Sequence, residues 1–396
     1  MNILFVNNSE VNPLNSGIQR ITYVLAQAFT TRGFLCYGAN FEKNTPASKG
    51  LFVDILKLDY STESSQKLCA FIQKHEINRI IVQECMPLIK LKVVKQAISN
   101  KSDCKLYYCN HSAPGKEFVR PSISSEFYRL LHRPGKINAL FKTAVALLPP
   151  ACYKALVRSK VRKNYTYIYQ HSDKIILLSP RYIPIFQQLA NISNIDLSHF
   201  AGIGNSLSFN ENLPTEEITQ KAKEVILVGR LSERAKRFST ALRIWQHIEN
   251  SQQFPDWRLK IIGTGPDEMY YHHLAHKFKL KQVDFEGQQD PRPYYKRAAI
   301  CMLTSAYEGF GMVLTEAQQM GVVPIVFDTY AAAHDIITHS HNGIIIPAGN
   351  NIAFTEQLSA LMKDTKTREK MAINALADCS KFSIENIIRQ WLSCLQ

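Results

Sequence analysis

Two carboxylates eight positions apart, Glu308 and Glu316, flank a glycine-rich turn, Glu308-Gly309-Phe310-Gly311. The turn follows an apolar run at 300–303 and leads into a stretch of helical character. Gly309 and Gly311 remove side chains where a backbone would have to approach a ligand closely. A helix start at that point offers unpaired N–H groups and a partial positive charge, suited to a phosphate or an electron-rich hydroxyl. With one glutamate in the loop and one inside the helix, the carboxylates would stand roughly 10 Å apart at a helical rise of 1.5 Å per residue. Groups so placed can accept hydrogen bonds from hydroxyls at two ends of one ligand. The bland alternative is a turn whose acids cap the helix and face solvent.

Other residues could handle phosphate. The apolar run 225–228 ends in Gly229-Arg230, with Lys236 six residues beyond Arg230. Arg supplies a planar fork and Lys a point charge, and a diphosphate can use both. A further run, 259–262, ends in Gly263-Thr264-Gly265; the third glycine of the dinucleotide fingerprint is absent. Near the start, Asn15-Ser16-Gly17 precedes a helical stretch, and Gly17 would let that helix start come close to a phosphate. Tyr107-Tyr108-Cys109-Asn110-His111 sets a histidine at the end of another apolar run. No Asp-x-Asp pair occurs in the chain, which fits a site where Arg and Lys stand in for a divalent metal.

Elements must position these groups. Apolar runs at 3–6, 80–82, 106–108 and 175–178 alternate with helical stretches, and the pattern repeats at 225–228, 259–262, 300–303 and 322–327. Continuous apolar runs bounded by Gly, Asn or Ser are what parallel strands buried on both faces look like. The alternation predicts βαβ units and a doubly wound parallel sheet in each half. Ligands of such sheets bind beyond the carboxyl ends of the strands, where the candidate residues fall. The polar stretch 205–223 reads as a linker, giving domains at 1–205 and 206–382. The tail 383–396 carries Ile387, Trp391 and Leu395 at helical spacing and reads as a helix packing back on the first domain.

A chain of 396 residues suits two domains, and 45% hydrophobic with 20% charged residues is ordinary for a globular protein. The N-terminus reads as a first buried strand, not as a signal peptide, and no run approaches the roughly 20 apolar residues of a membrane span. Nine cysteines without a C-x-x-C pair or zinc spacing predict reduced thiols in the cytoplasm. The net charge of +14 allows nucleic acid, phosphorylated small molecules or an anionic membrane as partner. No zinc-finger or RRM signature supports nucleic acid. Between 127 and 172 there is no acidic residue, while Arg129, Arg133, Lys136, Lys142, Lys154, Arg158, Lys160, Arg162 and Lys163 alternate with apolar groups. Such a segment can rest on anionic lipid; a solvated helical face over the core is the alternative.

Together the motifs resemble the retaining GT-B glycosyltransferases that carry the E-x7-E motif, glycosyltransferase family four. The likeness covers about residues 224–350: Gly229-Arg230, Lys236, Gly263-Thr264-Gly265, Phe285-Glu286-Gly287, Tyr294-Tyr295, Ser305, Glu308 through Glu316, and Pro324. The first half matches loosely, through Gly17, His111 and Gly204-Asn205. The resemblance implies two Rossmann-like domains facing across a cleft, the N-terminal one for acceptor and the C-terminal one for a nucleotide-sugar, most often a UDP-sugar. It implies catalytic roles for Glu308, on the donor sugar, and His111. It gives donor-binding roles to Arg230, Lys236, Glu316, Gly309, Phe310, Gly311, Gly17 and Gly265. It implies no metal and no cofactor, the nucleotide-sugar being a co-substrate. The acceptor would be a glycan or lipid-linked glycan of capsule or lipopolysaccharide assembly, at the inner face of the membrane. Lys236 stands one position later than the usual family spacing, with Arg234 and Arg237 as rivals, and Ser16-Gly17 replaces a glycine pair. A non-catalytic sugar-nucleotide-binding scaffold and a sugar-nucleotide epimerase of the same fold are the alternatives.

Overall fold

A computed structural model describes the chain apart from residues 14–15, 43–49, 62, 85–87, 100–102 and 133–135. Asn15 and Arg133 fall outside the described residues, and only the backbone of Lys136 is described. Strands β1 (Asn2–Ser9), β2 (Leu35–Glu42), β3 (Ile55–Lys57), β4 (Arg79–Glu84), β5 (Lys105–Asn110), β6 (Lys174–Leu177) and β7 (Phe200–Gly202) form one sheet in the order β3-β2-β1-β4-β5-β6-β7. Strands β8 (Ala222–Val228), β9 (Arg258–Ile262), β10 (Val283–Gly287), β11 (Ala298–Leu303), β12 (Val323–Asp328) and β13 (Ile344–Pro347) form the other, in the order β10-β9-β8-β11-β12-β13. Every named pairing is parallel. The central strands are buried on both faces, as their continuous apolar runs require: Ile3 to Val6, Val225 to Leu227 and Ile300 to Leu303 expose nothing. Both sheets are therefore doubly wound. The strand order reverses between β1 and β4 in one sheet and between β8 and β11 in the other. At such reversals the crossing loops leave in opposite directions and open a crevice.

The chain divides into two compact units, one made of Met1–Gly115, Ser159–Ser206 and Phe382–Gln396, the other of Lys116–Arg158 and Leu207–Lys381. In the first, the terminal helix Ile384–Leu395 packs on the helix Gly17–Thr30. Its Leu395 carbonyl accepts from Arg79 Nε at 2.9 Å. Two segments differ from the expectation drawn from chain order. Residues 116–158 group with the second unit because the helix Ile123–His132 is fastened there. Arg129 pairs with the fully buried Asp267 carboxylate at 2.7 Å, and Tyr270 Oη donates to Ser124 Oγ at 2.7 Å. The stretch 205–223 is more than a linker, since Leu213 and Ile218 enter the second unit's core. Lys221 Nζ donates there to the carbonyls of Tyr295, Lys296 and Met320 at 2.8, 2.8 and 2.6 Å. A lysine amine among three carbonyls satisfies helix ends that a polar sequence pattern does not reveal.

Candidate active site

In the second unit the site grows from the ends of β8 and β11. After β8 the backbone turns at Gly229, whose φ of +147° and missing Cβ leave room for Lys236; a Cβ would sit 3.1 Å from Lys236 Cε. Gly263 and Gly265 serve packing: a Cβ at either would lie 2.1 Å from the Gly229 carbonyl oxygen or 2.4 Å from that of Leu231. The backbone of β9's turn thus closes on the backbone of β8's turn, with Leu231 N–H donating to the Thr264 carbonyl at 2.9 Å. The space that glycine frees at 265 on its Cβ side is filled by the backbone of Leu231.

Lys236 ends the one-turn helix Glu233–Lys236, which Arg237 stops in the left-handed conformation at φ +48°. The end of β11 grips this turn: Thr304 Oγ1 donates to the Lys236 and Arg237 carbonyls at 3.0 and 3.1 Å, and Ala306 N–H to the Ala235 carbonyl at 2.7 Å. Lys236 Nζ thereby lies 2.6 Å from Glu308 Oε1, with the two side chains only 16% and 15% exposed. Ser305 Oγ donates to the same carboxylate oxygen at 2.5 Å. Shielded from water, this pair feels a stronger mutual field than a surface ion pair. The neighbouring cations behave differently. Arg234 spends its guanidinium on the Val119 carbonyl, at 3.1 and 2.9 Å, and on the Tyr153 hydroxyl at 3.3 Å. Arg230 and Arg237 are exposed, and Arg230 makes no hydrogen bond among the described residues. Among the three rivals, Lys236 is the one at Glu308.

The turn after Glu308 needs its second glycine twice over. Gly311 has φ +96°, and a Cβ there would lie 2.6 Å from Tyr330 Oη. Phe310 is buried beside it, and the helix Met312–Gln319 starts immediately after. Gly309 is partly exposed. Glu316, inside that helix, is buried and accepts from Tyr295 Oη at 3.0 Å and Ser208 Oγ at 2.7 Å. One carboxylate of the motif thus faces a cation and a hydroxyl, the other two hydroxyls, the donor class a sugar presents.

Two candidate residues belong to the first unit. Gly17 opens its helix from an exposed position, behind Ser16, whose hydroxyl accepts from Gln19 N–H at 3.4 Å. Gln19 also ties the preceding loop, through Asn12 N–H at 2.9 Å and Ser9 Oγ at 2.6 Å. His111 follows β5 and meets Gln83 Oε1, from β4, through Nε2. Burial holds its pKa down at about 4, so the ring is neutral near pH 7.

One residue at this site was not singled out from the sequence. Asp267, with no exposed side-chain surface, accepts from Glu233 N–H at 2.8 Å and pairs with Arg129. It therefore holds the start of the short helix whose last residue is Lys236. Pro266-Asp267 before a helical stretch was the available signal. That signal predicts a cap for the helix Glu268–Lys277, yet Asp267 makes no cap bond to that helix and serves the other helix instead.

The two doubly wound parallel sheets define a GT-B protein. Anabaena Alr3699/HepE in complex with UDP has the same fold, with a TM-score of 0.73 over 100% of this chain and 99% of that one at 16% identity. A Staphylococcus aureus TarM mutant in complex with Fondaparinux, alpha-GlcNAc-glycerol and UDP gives 0.72 over 100% and 99% at 11% identity. Residues 208–378 match the family Glycosyl transferases group 1. Curated relatives include the amylovoran biosynthesis glycosyltransferase AmsD of Erwinia amylovora, 25% identical over 237 residues, which is 58% of this chain and 64% of AmsD. The GalNAc-alpha-(1->4)-GalNAc-alpha-(1->3)-diNAcBac-PP-undecaprenol alpha-1,4-N-acetyl-D-galactosaminyltransferase of Campylobacter jejuni is 26% identical over 192 residues, 48% of this chain and 53% of that enzyme. The match thus spans less than two thirds of the length of these relatives.

Proposed function

We propose that the chain is a retaining, metal-independent glycosyltransferase. It moves a hexose-type sugar from a UDP-sugar to a glycan or lipid-linked glycan of cell-surface polysaccharide, at the inner face of a membrane. The observation that carries this reading is the shielded Lys236–Glu308–Ser305 cluster at the β8/β11 reversal. An ammonium has three donors, so Lys236 can hold Glu308 and still give N–H groups to a diphosphate, with exposed Arg230 as the second cation. As the bond from sugar to diphosphate breaks, negative charge grows on the leaving oxygens, and cations already in place stabilise it without reorganising. Glu308 takes hydroxyls of the sugar, and Glu316 takes those of the ribose in place of Ser208. With the cations fixing the diphosphate, the acceptor attacks on the face that the nucleotide leaves, which retains configuration. His111 serves as a neutral hydrogen-bonding group on the sugar, and Gly17 lets its helix start approach phosphate.

The relatives support the substrate class: one acts in amylovoran biosynthesis, another on a diphospho-undecaprenol glycan, and the solved neighbours hold UDP or UDP-glucose. The test is nucleotide release from a panel of UDP-, GDP- and ADP-sugars, with and without EDTA, by the wild type and Glu308→Ala. Slow hydrolysis of one donor that resists EDTA and is lost in the variant establishes the reaction, and NMR of the first-formed anomer reads retention. An epimerase would instead interconvert the sugar with the nucleotide still attached. Silence across the panel, with no thermal stabilisation by any nucleotide, would leave a scaffold.

A further inference from the structure

The helices of residues 116–158 are inside out. In the helix Ile123–His132, the polar Ser125 and Glu126 are buried and Arg129 turns inward to Asp267. On its outer side Ile123, Phe127 and Leu131 recur every four residues, one stripe of a helix, and all three are exposed. The next helix, Lys136–Leu147, packs on it and repeats the inversion. The small Thr143 and Ala146 point in, while Leu140, Phe141 and Leu147 point out, Phe141 with 71% of its surface exposed. Scattered exposed apolar side chains are ordinary on a soluble protein, but two stripes on adjoining helices are not. Folding has put the apolar stripe outside because the polar side is needed inside, by Asp267 and Ser124's partner Tyr270.

The charge carried by this stretch of chain has one sign. Lys142, Lys154 and Arg158 are exposed, and no acidic residue occurs from 127 to 172. Among the described residues no single helix is long and apolar enough to cross a membrane, and Leu140–Leu147 with Pro150–His171 reach that length and apolarity only as a pair bent by 111°. An apolar stripe along one side of each helix is the pattern of helices lying on a surface. A second copy of the chain fits poorly: a two-fold interface sets a patch against itself, and here it would set cations against the same cations. An anionic surface with an apolar interior satisfies both features, headgroups taking the lysines and acyl chains taking Phe and Leu. The geometry points to an anionic lipid bilayer docked on the outer face of the two helices Ile123–His132 and Lys136–Leu147. This deepens the proposed function, on which it rests for the membrane-bound acceptor it would serve. It also narrows the contact to the part of the basic segment that belongs to the unit carrying Lys236 and Glu308.

The test uses the full chain and vesicles of phosphatidylcholine, with or without phosphatidylglycerol. The chain should sediment with phosphatidylglycerol vesicles, less so at high salt. Phe127→Ser, Leu140→Ser and Phe141→Ser combined should lower that partition at least tenfold, while slow donor hydrolysis stays within twofold. The three native tryptophans, Trp245, Trp257 and Trp391, are buried, so Phe141→Trp supplies a local reporter. Its emission should shift to the blue with anionic vesicles and be quenched by brominated lipid. No sedimentation at low salt, equal binding by the serine variant, or a silent reporter would overturn the docking. So would a dimer that the serine substitutions disperse without any vesicle binding, since that gives the face to a second copy. Donor hydrolysis retained without vesicle binding sinks the docking alone; vesicle binding without hydrolysis of any donor sinks the transferase reading alone.

Discussion

The two sheets reverse their strand order in the same way, yet they equip the reversal differently. Beyond β8 and β11 stands a shielded ammonium–carboxylate pair, gripped by backbone hydrogen bonds from Thr304 and Ala306. In the other sheet the group in question stands one strand away from the β1/β4 reversal: a histidine beyond β5, held neutral by burial, against an amide of β4. The difference teaches a division of labour. The strand ends of one sheet hold paired charges and those of the other a neutral imidazole; under the proposed function these would serve the leaving group and the sugar respectively.

The sharpest way to break that contrast is to remove its charge. Lys236→Met should lower kcat by about 100- to 1000-fold, the usual loss for one pre-placed electrostatic donor, with a smaller change in KM for the donor. Steady-state nucleotide release measures both. Arg237→Ala should cost less than tenfold, and a loss as large as that of Lys236→Met would move the phosphate role to the neighbour. Asp267→Asn comes next. It keeps an acceptor for Glu233 N–H but removes the charge facing Arg129, so kcat should fall about tenfold as the short helix loosens. Asp267→Glu should not rescue it, because the buried site has no room for a methylene. If kcat holds while only the melting temperature drops, Asp267 is a fastening for the helix Ile123–His132 and does not position Lys236.

That Asp267 had to be found in the structure shows where sequence reading stops. All eight apolar runs lie in β1, β4, β5, β6, β8, β9, β11 and β12, the inner strands of the two sheets. The strands without such a run are the four edges, β3, β7, β10 and β13, together with β2. An edge strand is buried less completely, and β10 alternates apolar with acidic residues because Asp284 and Glu286 pair with Arg258 and Lys260 of β9. The edge position does not forbid a run, however: β13 carries Ile344-Ile345-Ile346, too short and too close to Pro347 to stand out from the sequence. The site divides likewise. Glu308, Glu316 and the glycines of their turn stand out by spacing. Arg234, Lys236 and Arg237 carry the same charge within four positions, and only the one-turn helix with its left-handed end decides which of them reaches Glu308. Residues 116–158 hid their allegiance for a related reason: a long-range ion pair leaves no local period.

Stability offers a smaller test of the same two regions. Lys221→Met should destabilise the second unit by about 1–2 kcal/mol, since the carbonyls of Tyr295, Lys296 and Met320 lose a shared donor whose pKa burial lowers to about 7. Heat or urea unfolding would read it, and the loss should not reach kcat at temperatures where the protein is folded. A change below about 0.5 kcal/mol would mean that water replaces the ammonium.

His111 gives the smallest effect and the cleanest sign. Its pKa falls from the ordinary 6.5 to about 4 because burial disfavours the charged ring. Between those values the unfolded chain binds the proton and the folded chain does not, so stability rises with pH across the window. Put the other way, this contribution is complete above about pH 6.5 and is lost as pH falls toward 4. His111→Asn removes the titrating group, so the gap in stability between wild type and variant should narrow as pH falls from 7 to 4. The kcat profile of the wild type should show no inflection near 6.5 from this ring. An inflection there that vanishes in His111→Asn would mean that the imidazole is exposed and takes up a proton, which would cancel the contrast between charged and neutral strand ends.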